Sequence, residues 1–268
     1  MKAAIIGLIG LASFGPAVHA VVVDQATEYE QASSPTQDSQ SQDASIFSPQ
    51  EVQPSQPQTT LKPFVARYKS EWDVGFFSLD IKGTRRLEQL ETGKWKLTFK
   101  ADSSAAALKE VSTFELIDGQ IQPLEYTYQV SGLVTEPDRH LEFDPAEEVV
   151  RDHKKNRDLT NQWAPGIQDA QTYMLQASLD LSLHPTLPLS YPVFEKKKTK
   201  LFNFEVVGEE TIKTKIGKVN TVKIRQIRKD NREVIVWLDK DRQYLLARLI
   251  DKKKGKTRYR IDLVGIDS

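Results

Sequence analysis

The sequence predicts a mainly β protein: a curved antiparallel sheet closing into a barrel or half-barrel, with one α-helix. Three observations lead there. From about residue 64 onward apolar and polar residues alternate with period two, and turn residues recur every ten or so positions. Only one stretch, Ile167–Leu181, has the helical period. About ten or more strands are expected, and a sheet that long does not stay flat, so it is expected to curl with the helix in or across its mouth.

The first strand is Phe64–Trp72, with Phe64, Ala66, Tyr68, Ser70 and Trp72 on one face. A second runs from Phe77 to about Leu90, and Thr92-Gly93 turns the chain into Lys94–Ala101, where Trp95, Leu97, Phe99 and Ala101 alternate inward. Val111–Ile117 and Ile121–Val130 flank the hairpin turn Asp118-Gly119. Arg139–Phe143 and Glu148–Arg151 flank Asp144-Pro145. In the helix, Ala170, Tyr173, Met174, Ala177 and Leu181 form an apolar stripe, widened by Ile167, Leu175 and Leu179. Asp169 is its expected N-cap and Pro185 closes the segment. Leu187–Val193, holding Pro188 and Pro192, is expected to be extended loop. Strand resumes at Leu201–Val207 and continues through Val222–Arg225, Glu233–Leu238, Tyr244–Ile250 and Tyr259–Leu263. In the last of these Tyr259, Ile261 and Leu263 face one way and Arg258, Arg260 and Asp262 the other, so one face is buried and one wet.

The chain divides into three parts. Residues 1–20 have a positive start, an apolar run of about a dozen residues and Val18 and Ala20 before the cut, the pattern of a secretory signal peptide cleaved after Ala20. A periplasmic location is the expectation. Residues 21–61 are rich in Ser, Gln and Pro and bury almost nothing, as in a disordered tail. Residues 62–268 form a single β-rich domain, with no later stretch apolar enough to span a membrane as a helix. The absence of cysteine excludes disulfides, thiol catalysis, zinc–thiolate and iron–sulfur centres, and a lipid anchor on cysteine. Charge is uneven: residues 195–268 carry 21 Lys and Arg against 11 Asp and Glu. These bases alternate with apolar residues and sit at turns, the pattern of a wet sheet face. The runs Lys196–Lys198 and Lys252–Lys254 fall at strand ends, and no nucleic-acid partner is expected of an exported chain.

The stretches Tyr68–Leu79, Asp169–Leu175, Ile216–Ile224, Val236–Asp239 and Tyr244–Leu249 together resemble the DUF3108 family of exported bacterial proteins, over roughly residues 64–265. Where that family carries a proline in a Tyr-Leu-Pro-type segment, this chain has Leu246. The resemblance implies a periplasmic, curved antiparallel sheet, and it brings no catalytic residue with it.

No motif announces a reaction. His140, His153 and His184 are far apart in the sequence and show no metal-ligand spacing. Asp239-Lys240-Asp241 lacks the ligand spacing of a calcium loop. The adjacent pairs Glu147-Glu148 and Glu209-Glu210 point to opposite faces of a strand. Nucleophile-elbow, P-loop and dinucleotide-binding patterns are missing. The expectation is therefore a non-enzymatic protein without cofactor, binding a lipid or other apolar envelope ligand in a groove. The residues expected to line it are Trp72, Trp95, Phe99, Phe114, Tyr126, Tyr128, Trp237 and Tyr244 on the sheet and Tyr173 and Met174 on the helix. The alternatives are a protein–protein scaffold of envelope assembly, working through a sheet edge or the tail, and a hydrolase using one of the histidines.

Overall fold

In the computed structural model, residues 60–74, 77–133, 136–228 and 231–267 are described, without the side chains of residues 71–79. The expected signal peptide, nearly all of the tail and the side chain of Trp72 lie outside these residues. Strands β1 (Phe64–Val74), β2 (Phe77–Gln89), β3 (Trp95–Asp102), β4 (Ala106–Ile117), β5 (Gln120–Gly132), β6 (Arg139–Asp144), β7 (Val149–Asp152) and β8 (Arg157–Leu159) precede helix α1 (Thr172–Leu183). After it come β9 (Leu189–Glu195), β10 (Lys198–Thr214), β11 (Gly217–Ile227), β12 (Arg232–Asp239), β13 (Leu245–Lys253) and β14 (Lys256–Asp267).

All fourteen form one sheet, ordered from β8 down to β1, then from β14 down to β9. Every pair is antiparallel, and all but one join neighbours in sequence. The exception is β1 with β14, from Val65 opposite Asp267 to Glu71 opposite Arg260. Hairpin chemistry sets the registers: Asp118 and Gly119, at φ 50° and 78°, make a two-residue turn with both residues left-handed, whose twist matches that of the strands it joins.

The sheet curls without a ladder between β8 and β9. The curl is visible in the packing, since Phe194 of β9 meets Phe143 of β6 edge-on at 6.3 Å. Residues 160–171 fill the seam. Gln168 N–H donates to Pro192 O at 2.8 Å and Phe194 N–H donates to Gln168 O at 2.8 Å, while Thr199 N–H donates to Gln162 Oε1 at 2.9 Å.

Helix α1 lies inside the curl. Its residues from Thr172 to Leu179 are all buried, so over its first two turns it is a plug with no wet face. Tyr173, Met174, Ala177 and Leu181 pack into a core built by β1–β3 and β9–β14. Leu175 and Leu179 pack against Leu87, Trp95, Leu97, Phe114 and Ile121. Gln176 ties the helix to the β4–β5 turn by accepting from Ile121 N–H at 2.7 Å and donating to Gly119 O at 3.1 Å.

Two expected boundaries are corrected. The helix begins at Thr172, because the main chain of Gln168 is taken by the edge of β9. The N-cap is Gln171 in place of the expected Asp169. Asp169 instead holds the turn that leads in, with Oδ1 accepting from Gln171 N–H at 2.7 Å and Thr172 N–H at 2.9 Å, and Thr172 Oγ1 accepting from Asp169 N–H. The expected loop Leu187–Val193 is largely strand β9. Pro192 is tolerated because β9 is an edge strand: its carbonyl points away from β10, toward Gln168, and the side lacking an N–H faces the same way.

The long hairpin β10–β11 shifts register between Val206 and Gly208 and bends over the outer face of β12 and β13. Arg248 Nη2 there donates to Lys213 O at 2.8 Å. Ile212 and Val219 cover Ile235, Trp237 and Ala247, a satellite cluster outside the curl.

Gly132, the last residue of β5, has φ 106°, and a Cβ there would stand 2.7 Å from Ala105 O and 2.9 Å from Ala106 Cα. Both neighbours are main-chain atoms and cannot turn away. Gly132→Ala should lower stability by about 1–3 kcal/mol, read as a lower urea midpoint at unchanged slope; an unchanged midpoint would contradict the backbone described.

Candidate functional site

The interior beyond the N-terminal end of α1 holds a cavity of about 60 Å³. Inward positions of neighbouring strands build its wall. Arg85 of β2 stands opposite Phe99 of β3, and Phe99 opposite Glu110 of β4. Tyr68 of β1 stands opposite Gly83, where a Cβ would meet the Phe99 ring at 3.2 Å. Glycine there leaves the space the ring fills beside Tyr68. Leu246, Leu249 and Ile261 supply an apolar wall from the other half of the sheet. A second cavity of about 20 Å³ shares Glu110 and Ala170 with the first and reaches a rim at Glu136, Arg139 and Lys196.

The polar groups here are buried among apolar ones. Arg85 donates through Nη2 to Gln171 O at 3.2 Å. Burial pulls its pKa down, against the upward pull of Tyr68, Tyr173, Asp169 and Glu110. Glu110 Oε1 accepts from the Tyr126 hydroxyl at 3.0 Å, yet burial outweighs that bond and pushes the carboxyl up to about 8. Burial also raises Asp169, against the two main-chain bonds it accepts. Gln171 Nε2 donates to Ser112 Oγ at 3.3 Å. The Tyr68 hydroxyl and Gln171 Oε1 find no hydrogen-bond partner among the described residues. At the rim, Glu136 Oε2 accepts from Tyr128 at 3.0 Å and from Arg139 at 2.9 Å, and the Arg139 guanidinium lies 4.0 Å above the Tyr128 ring.

Of the residues expected to line a groove, Phe99 lines the first cavity and Tyr126 and Tyr128 the second. Trp95 and Phe114 are packed against α1 at its far end, where Trp95 also lines a separate cavity of about 540 Å³ with Leu61 and Leu116. Tyr173 and Met174 are buried in the helix face, with Tyr173 edge-on to Phe202 at 5.3 Å. Tyr244 sits in the turn before β13, half-buried, its carbonyl accepting from Ser178 Oγ at 2.9 Å. Trp237 belongs to the outer cluster, donating through Nε1 to Glu210 Oε2 at 3.0 Å. Its strand, β12, is apolar on both faces, so alternation alone did not say which was inner.

Sequence reasoning missed Arg85 and Glu110. A signal existed: Glu110 shares the inward face with Leu108, Ser112 and Phe114, and Arg85 shares one with Leu87. The fold also brings the His140 and His153 rings to 4.7 Å. Each ring's Nε2 meets a carboxylate, Glu125 at 2.7 Å and Glu142 at 2.8 Å. Among the described residues no three His, Asp or Glu side chains are arranged to hold a metal ion.

The Glu110 carboxyl gives a pH signature. It keeps its proton up to about 8, whereas it would lose it near 4.5 when unfolded. Between these values the folded chain binds a proton that the unfolded chain has released, so stability falls as pH rises through the window and levels off above it. Glu110→Gln stays neutral and should lose that slope. Relative to wild type it should gain about 1.4 kcal/mol per pH unit within the window, measured by urea denaturation at pH 5, 6, 7 and 8; parallel curves would contradict a protonated Glu110.

No curated protein matches this chain. Among solved structures, a β-barrel-like protein of domain of unknown function DUF1849 from Brucella abortus is similar over 76% of this chain and 97% of its own, at 14% identity and a TM-score of 0.53. The likeness is one of fold. The Pseudomonas aeruginosa MucA/MucB complex matches over 76% of this chain and 51% of that one, with 12% identity and a TM-score of 0.36. A putative outer membrane lipoprotein-sorting protein domain from Vibrio parahaemolyticus matches over 76% and 84%, with 11% identity and a TM-score of 0.23. The model of DUF3108, protein of unknown function, matches residues 64–262, and the chain belongs to that family.

Proposed function

We propose that this chain is a non-enzymatic protein of the bacterial periplasm that holds an apolar or amphipathic envelope molecule inside its curled sheet. The observation that carries this is the pair of adjoining cavities, which share Glu110 and Ala170: apolar walls, a few polar groups, and a rim at Glu136, Arg139 and Lys196. Helix α1 closes the opposite end. The cavity is small as it stands. An engineered cavity of about 150 Å³ holds a benzene ring, so an acyl chain enters only if the wall parts. The seam between β8 and β9, held by a handful of bonds to residues 162–168, is where parting breaks no strand ladder.

Binding fits the buried acids better than catalysis does. Glu110 is protonated near neutrality and bonded to Tyr126, and Asp169 holds the turn that leads into α1. The periplasmic part of the proposal rests on the leader pattern in residues 1–20. Among the described residues no helix is long and apolar enough to cross a membrane.

Residues 21–268, purified from the periplasm without detergent, should show by native mass spectrometry a stoichiometric bound amphiphile that organic extraction releases. A clean unliganded mass with a lipid-free extract would overturn the proposal.

A further inference from the structure

We infer that the molecule held in this cavity carries a carboxylate, and that Arg85 and Tyr68 bind it. This rests on the proposed binding role and adds the chemical class of the ligand.

Arg85 is a buried cation that forms no ion pair within 4 Å among the described residues; its one bond there is to a neutral carbonyl, Gln171 O. A guanidinium does not escape the cost of burial by losing its proton, so it needs an anion or a full set of acceptors. The same protein shows how it treats a structural buried arginine. Arg232, 3% exposed at its side chain, is held by Asp251, with Nε donating to Oδ2 at 2.6 Å. Nothing comparable is provided for Arg85. The nearby acids do not take that place: Glu110 is bonded to Tyr126, and Asp169 Oδ1 accepts the main-chain N–H groups of Gln171 and Thr172.

The second observation is independent of charge. Tyr68 lines the same cavity, and its hydroxyl is buried with no partner among the described residues. An orphaned buried hydroxyl is costly, and its position beside a guanidinium supplies a second donor to one acceptor group. Two donor side chains on the wall of one cavity suit the two oxygens of a planar carboxylate. A doubly charged phosphate would keep oxygens unsatisfied among Phe99, Leu246, Leu249 and Ile261. Those side chains suit the hydrocarbon next to the carboxylate, so the class is a monocarboxylic amphiphile.

The experiment compares octanoate with 1-octanol by calorimetry on delipidated residues 21–268. Wild type should bind octanoate about 10- to 100-fold tighter than the alcohol, the range of a charge-assisted bond. Arg85→Met should abolish that preference while keeping 1-octanol affinity, and Tyr68→Phe should reduce it several-fold. Arg85→Lys, which keeps the charge, should retain part of it and remains informative if Arg85→Met does not fold. Equal binding of both probes by wild type, or an unchanged preference in Arg85→Met, would overturn the inference and leave an apolar site standing. An Arg85→Met protein that is only less stable, its preference intact, would assign Arg85 a structural role and overturn it too. Binding of neither probe would overturn both the inference and the proposed function.

Discussion

Everything in this molecule depends on the pairing of β1 with β14, strands some two hundred residues apart in the chain. The other twelve strand pairings are local, each formed between neighbours joined by a turn or short loop. Without the one distant ladder there would be two separate meanders, each with a bare hydrophobic face. With it, the β1–β5 half and the β9–β14 half become one wall. The cavity is a product of that junction, since Tyr68, Arg85, Phe99 and Glu110 come from one half and Leu246, Leu249, Tyr259 and Ile261 from the other. The helix comes between the two halves in sequence and sits between them in space, so the connection itself becomes the plug.

Inside this shell polar groups receive two treatments. At the seam, around the start of the helix and at the Arg232–Asp251 pair, most donors meet acceptors, although Gln168 Oε1, Asp169 Oδ2, Arg232 Nη1 and Asp251 Oδ1 have no hydrogen-bond partner among the described residues. Around the cavity, matching is incomplete: a guanidinium bonded to one carbonyl, a tyrosine hydroxyl without a partner, a carboxyl kept neutral by burial. Stability alone would favour replacing such groups with hydrocarbon. What sets the cavity apart is that these groups face one enclosed space, and that the cation among them has no ion pair among the described residues.

Much of the fold could be read from the chain. Period-two alternation marked most strands, and Asp118-Gly119 marked a tight hairpin, because these signals are local and act through the backbone. Three features escaped, each because a distant contact decided it. Pro192 reads as a strand breaker until β9 is known to be an edge. The first residues of the helical pattern, Ile167 to Gln171, keep their period but lose their helix to the edge of β9. Trp237 lies on a strand buried on both sides, where the outer cover comes from a hairpin bending back over it. The aromatic residues were a fair guide to the interior but a poor one to the cavity. Large side chains fill space, and the cavity opens where the polar Arg85 and Glu110 interrupt them.

The unladdered seam has a further consequence for how the protein behaves in a crowd of its own copies. A sheet that does not close has two margins, and a bare margin recruits other chains by strand addition. Both margins here are blunted. β8 is three residues long and carries Arg157 and Asp158, and β9 presents Pro192 with its free carbonyl already taken by Gln168. A fourteen-stranded open sheet would otherwise invite edge-to-edge aggregation; this one offers a second chain almost no ladder to extend.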